Sequence, residues 1–152
     1  MHPAPSSSRG SFRQVCASRL DAFDGLVREL TGWCNDAGVP ANTLHDVILI
    51  LDELFSNIVI HGYRYVPDGD ILVEALASDG QVDVTLTDHA PAFNPLLVPP
   101  PNTRLPLEER PIGGLGLLFV RRTADQLQYW RIAPGLGEAA NRLQFTKHFS
   151  RG

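Results

Sequence analysis

Hydrophobic and polar positions change their period several times along the chain, and each change marks an element. From Ser11 to Ala17 a loose alternation reads as an edge strand. From Arg19 to Ala37 the residues Leu20, Phe23, Leu26, Val27, Leu30 and Cys34 recur at helical spacing, and Gly38-Val39-Pro40 ends the run. Asn42 or Thr43 is placed to cap a second helix, with Asp46 in its first turn beside the positive end of the dipole. That helix is expected from about Leu44 to His61. Its apolar stripe, Leu44, Val47, Ile48, Leu51, Leu54, Phe55, Ile58 and Val59, is wide enough for near-complete burial, and Gly62 ends it.

The period then switches to two. Asp70 to Ala77 and Gln81 to Asp88 alternate and are joined by Ser78-Asp79-Gly80, which predicts a β-hairpin. Residues 89–112 carry no periodic element, and seven of the 12 prolines fall there. A stretch of that length in a compact domain is a functional lid or a disordered loop. Gly113-Gly114-Leu115-Gly116 opens a helix reaching about Ala124. Leu127 to Ala133 and Arg142 to Phe149 read as closing strands, turned around Pro134, Gly135 and Gly137. The order β-α-α-β-β-loop-α-β-β predicts an α+β fold. Its form is a two-layer sandwich, with a mixed, mostly antiparallel sheet covered by helices on one face.

Composition narrows the setting. With 152 residues and 43% hydrophobic content, the chain fits one globular domain over residues 11–150. Residues 1–10 are rich in Pro and Ser, lack the apolar segment of a secretory signal and read as a disordered tail. No apolar run is long enough to span a bilayer, so no membrane partner and a cytoplasmic location are expected. Thirteen Lys and Arg against 17 Asp and Glu give a net charge of −4, and without a basic run direct nucleic-acid binding is not expected. Cys16 and Cys34 fall in core-facing segments and read as buried reduced thiols rather than a disulfide or a metal site.

Three groups of residues could carry chemistry. Glu53, Asn57 and His61 recur at i, i+4, i+8 and form one row on the second helix. An amide oxygen there suits Mg²⁺, and a carboxylate one turn away can orient or deprotonate a hydroxyl. Taken alone, the row reads first as a solvated polar stripe on an apolar helix, and the neighbouring Asp52 as a surface acid or cap partner. Asp88, at the end of a strand expected to be buried, can accept a hydrogen bond from an exocyclic amine, and losing such a bond in a closed pocket leaves a polar group unpaired. It is also an ordinary residue to begin a turn fixed by Pro91 and Pro95. Glycines 113, 114 and 116 leading into a helix let the backbone approach phosphate. They also suit a flexible helix start. They form neither a dinucleotide-binding fingerprint nor a P-loop, because the βαβ context and the Gly-Lys-Ser/Thr ending are absent.

The three groups in this order are more specific than any one. Glu53-Leu-Phe-Ser-Asn57-Ile-Val-Ile-His61-Gly62-Tyr63 resembles the N-box of the anti-sigma factor serine/threonine kinases, within the histidine-kinase-like ATPase superfamily. Asp88 to Pro95 resembles their first glycine box. Gly113-Gly-Leu-Gly-Leu-Leu-Phe-Val-Arg121-Arg-Thr-Ala-Asp125 with Tyr129 resembles the second box and its helix, and Asn141-Arg-Leu resembles the entry to their last strand. The resemblance covers roughly residues 11–150. It implies the histidine-kinase-like ATPase fold with ATP and Mg²⁺ as cofactors. Asn57 would hold the metal, Glu53 would be the catalytic base and Asp88 would bond the adenine amine. Gly113, Gly114 and Gly116 would let the loop close over the phosphates, Leu115 and Leu117 would pack beside the nucleotide, and Phe93 would form a wall. Residues 89–112 would be the ATP lid, with Arg104 and Arg110 read first as solvated lid charges and a phosphate contact from one of them as the alternative.

The resemblance also implies a function: phosphorylation of a serine or threonine on a small anti-anti-sigma partner, in a switch that involves a sigma factor. Many members form homodimers, which the sequence neither shows nor excludes. A phosphoacceptor-histidine helix is not evident, so an autophosphorylating sensor kinase is not expected. The first box departs from the family pattern at Ala90, which replaces a glycine, at Pro91, and at Asn94, which replaces an acid. A methyl group at 90 is expected to crowd the adenine side. That departure keeps a second reading open, a non-catalytic or nucleotide-independent module that sequesters a protein partner. An ATP hydrolase or clamp is a weaker third, because such proteins use further domains. His89, without a second ligand at suitable spacing, reads as a loop residue, and His61 as support for the helix end.

Overall fold

A computed structural model describes residues 10–97 and 114–150, except 65, 67 and 136. Five strands form one sheet: β1 (Ser11–Ala17), β2 (Asp70–Ser78), β3 (Gln81–Asp88), β4 (Gln126–Ile132) and β5 (Ala140–His148). Their spatial order is β1-β2-β3-β5-β4, and every neighbouring pair is antiparallel, so the described sheet lacks the parallel pair that a mixed one would contain. β1 lies at an edge, as its loose alternation predicts. Among the described residues three helices, α1 (Phe23–Asp36), α2 (Ala41–Asn57) and α3 (Gly114–Thr123), accompany the sheet.

Strand alternation sets the two faces. Ile71, Val73, Val82, Val84, Leu86, Leu143 and Phe145 are buried on one face, under the helices. Val15, Leu76 and Trp130 stand exposed on the other. The helices therefore cover one face only. α1 buries Leu26, Leu30, Trp33 and Cys34, preceded by a 3-10 turn over Leu20–Ala22. It ends where Gly38 takes φ 80°, a left-handed conformation that favours glycine, and the Val39 N–H then donates to the Cys34 carbonyl at 3.0 Å. Both cysteines are free and buried, and burial pushes the Cys34 thiol up to about 12.

α2 begins earlier than the capping residues predict. Its N-cap is Pro40, with no side-chain cap, and Asn42 Oδ1 instead accepts from the next backbone N–H, that of Thr43, at 2.9 Å. Magnitudes explain why the cap is dispensable. A side-chain cap stabilises by about 1 kcal/mol, whereas each fully buried large aliphatic side chain stabilises by about 1.5–3 kcal/mol. Val47, Ile50, Leu51, Leu54 and Phe55 are all fully buried. Ile50 thus joins the predicted stripe, while Ile48 and Val59 are partly buried against it. The regular helix stops at Asn57 rather than running to His61, and Ile58–Gly62 continues as a π-helical turn, a geometry often found at functional sites.

Lys147 on β5 fixes the far end of α3, donating to the Thr123 carbonyl at 2.8 Å with Asp46 and Asp125 each 3.7 Å away. The expected tail, residues 1–9, and most of the expected lid, residues 98–112, lie outside the described residues, as do Arg104, Arg110 and Gly113. Among the described residues, no helix is long and apolar enough to cross a membrane.

Candidate functional site

The site sits where the end of α2 meets the end of β3 and the start of β5. Asn57 is the last residue of α2 and is only 7% exposed. Its amide nitrogen is buried and makes no hydrogen bond among the described residues. An unpartnered buried amide costs about 1–3 kcal/mol in desolvation, so such a group marks a place built for a ligand or a water.

Asp88 closes β3 on the same face as Val82, Val84 and Leu86, and is 3% exposed. Its Oδ1 accepts from the Ala90 backbone N–H and from Asn141 Nδ2, each at 2.9 Å. Burial raises its pKa above the usual carboxylate range, while the Asn141 and Ala90 hydrogen bonds pull it back. Asn57, Asp88, Phe93 and Asn141 line one small cavity, with Gly62 and Pro95 beside them. Three of the residues expected to meet the nucleotide and its metal, far apart in sequence, therefore converge. His61 is exposed, with its ring centroid 6.3 Å from that of Phe93.

Glu53 lies one turn before Asn57 and reaches a different element. Its carboxylate packs against the backbone of Gly116, so close that a methyl group at 116 would overlap it. Burial, with a further push from the charge of Asp52, raises the Glu53 pKa. Asp52 itself accepts from the Ser56 hydroxyl at 3.3 Å on the exposed side, as a surface acid does.

The second glycine box is brought to the site in part. Gly114, Leu115 and Gly116 form the first turn of α3, and the Leu115 side chain lies outside the described residues. Leu117 is buried in the hydrophobic core and is not among the cavity-lining residues. Phe93 lines the cavity, and Arg121 of α3 donates to the Leu96 carbonyl, tying α3 to the 3-10 turn Pro95–Leu97.

The methyl group of Ala90 does not face the cavity. Ala90 is buried, its Cβ lies 3.4 Å from where a Gly62 Cβ would stand, and it is not among the lining residues. A methyl group at 62 would meet it at ordinary contact distance. His89 stays a loop residue, with its N–H donating to the Tyr63 hydroxyl at 2.7 Å and its Nδ1 3.1 Å from the Ala139 carbonyl. The Tyr63 hydroxyl in turn donates to the Asp70 carbonyl at 2.8 Å, which ties the π turn to both ends of the hairpin.

Sequence reasoning passed over Asn141 as a site residue. The signal was present: Asn141 shares parity with Leu143 and Phe145, which places a polar side chain on the buried face of a strand.

An antiparallel five-stranded sheet under helices, with this cavity between α2 and the end of β3, defines the class of histidine-kinase-like ATPase domains. The chain belongs to that family, the histidine kinase-like ATPase domain, whose match spans residues 16–147. It is 26% identical over 105 residues to the serine-protein kinase RsbW of Listeria monocytogenes, covering 66% of this chain and 67% of that protein. It is 28% identical over 109 residues to an anti-sigma F factor of Clostridium botulinum, covering 70% and 72%. These relatives match the anti-sigma kinase resemblance carried by the three motifs. A crystal structure of RsbU and RsbW domains from Mycobacterium tuberculosis has the same fold, with a TM-score of 0.65 and 18% identity. That match covers 99% of this chain and 34% of the other, so this chain spans about a third of that protein.

Proposed function

We propose that this domain is an anti-sigma regulatory kinase of the cytoplasm. It binds ATP with Mg²⁺ in the α2–β3–α3 cleft and phosphorylates a serine or threonine on a small anti-anti-sigma partner. A sigma factor is the competing partner in this reading. The observation that carries it is the convergence of Asn57, Asp88 and Phe93 on one cavity, with Glu53 held one helical turn away at the start of α3.

The residues present fit the groups that the family implies. Asn57 offers an amide whose oxygen suits a hard cation, while its buried, unpartnered nitrogen is a donor free to meet a phosphate oxygen or a water. Gly116 lies in the first turn of α3, where phosphate is favoured, with the Glu53 carboxylate against its backbone. When bound, the metal neutralises phosphate charge. Asp88 orients the base by accepting from its amine, and Phe93 and Pro95 exclude water from that side. Glu53 takes the proton of the partner's hydroxyl at a carboxylate oxygen. Its raised pKa makes it a stronger base than an ordinary glutamate once ionised.

Incubation of the purified protein with ATP, Mg²⁺ and an anti-anti-sigma domain protein tests the enzyme. Phosphate on a serine or threonine of the partner, lost with Glu53→Ala, is the expected result. Binding of partner without transfer supports the second reading, a sequestering module, which the altered Ala90-Pro91-Asn94 box motivates.

A further inference from the structure

Register places Asp88 of β3 directly opposite Asn141 of β5. Asn141 is 3% exposed and is the most connected side chain of the site. Its Nδ2 donates to Asp88 Oδ1 at 2.9 Å, with the Pro91 and Ala90 carbonyls at 3.1 and 3.2 Å. Its Oδ1 accepts from the Tyr129 hydroxyl at 2.5 Å, Arg131 Nη1 at 3.2 Å and the Phe93 N–H at 3.4 Å. Donors surround the oxygen and acceptors surround the nitrogen, so only one orientation of the amide satisfies its neighbours. Arg131 Nη1 also donates to the Ala90 carbonyl at 3.0 Å, which locks the turn after Asp88 from the β4 side.

This network fixes how Asp88 meets a ligand. Both hydrogen bonds that the described residues make to the Asp88 carboxylate fall on Oδ1. Oδ2 takes neither of these bonds, and Asp88 is among the residues that line the cavity. We propose that Asn141 is the positioning residue of the base site: it holds Asp88 with one oxygen occupied and the other presented to an exocyclic amine, and so sets the preference for an amino-purine over an oxo-purine nucleotide. The inference deepens the ATP-binding reading and rests on it. Asn141 itself touches no base in this account. It acts through Asp88, and through the Phe93 N–H it couples the cavity wall to the same hub. A carboxylate held as a pure acceptor repels the carbonyl of an oxo-purine, whereas one free to turn or to take up a proton tolerates it.

The test compares dissociation constants for ATP and for inosine triphosphate, which carries a carbonyl in place of the adenine amine. Wild-type protein, Asn141→Ala and Tyr129→Phe are measured by calorimetry, with thermal melts run alongside. Wild-type protein prefers ATP. In Asn141→Ala the preference falls at least about tenfold, because ATP weakens while inosine triphosphate does not weaken in step. A purely structural role for Asn141 weakens both nucleotides equally and leaves the ratio within about twofold of wild type, which overturns the proposal. Tyr129→Phe removes one donor to Asn141 Oδ1 and keeps the ring. It lowers the ratio in the same direction, and an unchanged ratio there overturns the proposal even where Asn141→Ala does not fold. Wild-type protein that binds neither nucleotide overturns the ATP reading itself, a result distinct from an unaltered ratio.

Discussion

The carboxylate of Glu53 rests on the backbone of Gly116, joining the C-terminal half of α2 to the first turn of α3. A carboxylate at a helix start is favoured by the positive end of the dipole. The same turn is the place where bare backbone would meet phosphate. The proposed base and the proposed phosphate loop are therefore in contact, and a side chain at 116 disturbs both.

This contact predicts non-additive stabilities. In a Glu53→Ala background, Gly116→Ala stabilises by up to about 1 kcal/mol, the propensity gain of alanine over glycine in a helix. With Glu53 present, the new methyl displaces the carboxylate and the gain shrinks or reverses. A denaturation cycle over the four proteins measures the coupling. Effects that add to within about 0.3 kcal/mol contradict the contact.

Asp88→Asn is expected to separate affinity from stability. The substitution removes a charged acceptor, and hydrogen bonds to charged groups are worth about 1.5–3 kcal/mol, so ATP affinity falls by about ten- to a hundredfold. Stability at neutral pH moves the other way. Burial raises the Asp88 pKa, so the fold holds this proton more tightly than the unfolded chain does. Its contribution is then fully present below the unfolded pKa and is lost as pH rises through the folded one. Chemical denaturation across that window shows wild-type stability falling with pH, and a flatter curve for Asp88→Asn.

The raised pKa of Glu53 governs activity in the opposite sense. A base acts when ionised, so the acid limb of the kcat profile for phosphotransfer lies above the range of an ordinary glutamate. Asp52→Asn removes the second cause of the shift and moves that limb to lower pH, with burial still holding it above the ordinary value.

Much of this was legible in the sequence because periodicity is local. The hairpin of β2 and β3, the stripe of α2 and the parity of Asp88 with Leu86 all follow from spacing alone. Three features were not. The start of α2 at Pro40 follows from tertiary burial, which outweighs any cap that Asn42 or Thr43 offers. The π turn after Asn57 leaves no mark in residue types, since Ile58, Val59 and Ile60 suit an ordinary helix equally. Parity marks Asn141 as buried, but its pairing with Asp88 depends on the β3–β5 register across 53 positions, which no local pattern encodes.

The most direct test is the dissociation constant of ATP by calorimetry, with and without Mg²⁺, for wild type, Asn57→Ala and Glu53→Ala. The account predicts Mg²⁺-dependent binding that Asn57→Ala weakens at least about tenfold, the loss of one metal ligand, and that Glu53→Ala largely keeps. Absence of binding at millimolar ATP contradicts it, as does binding that Asn57→Ala leaves unchanged.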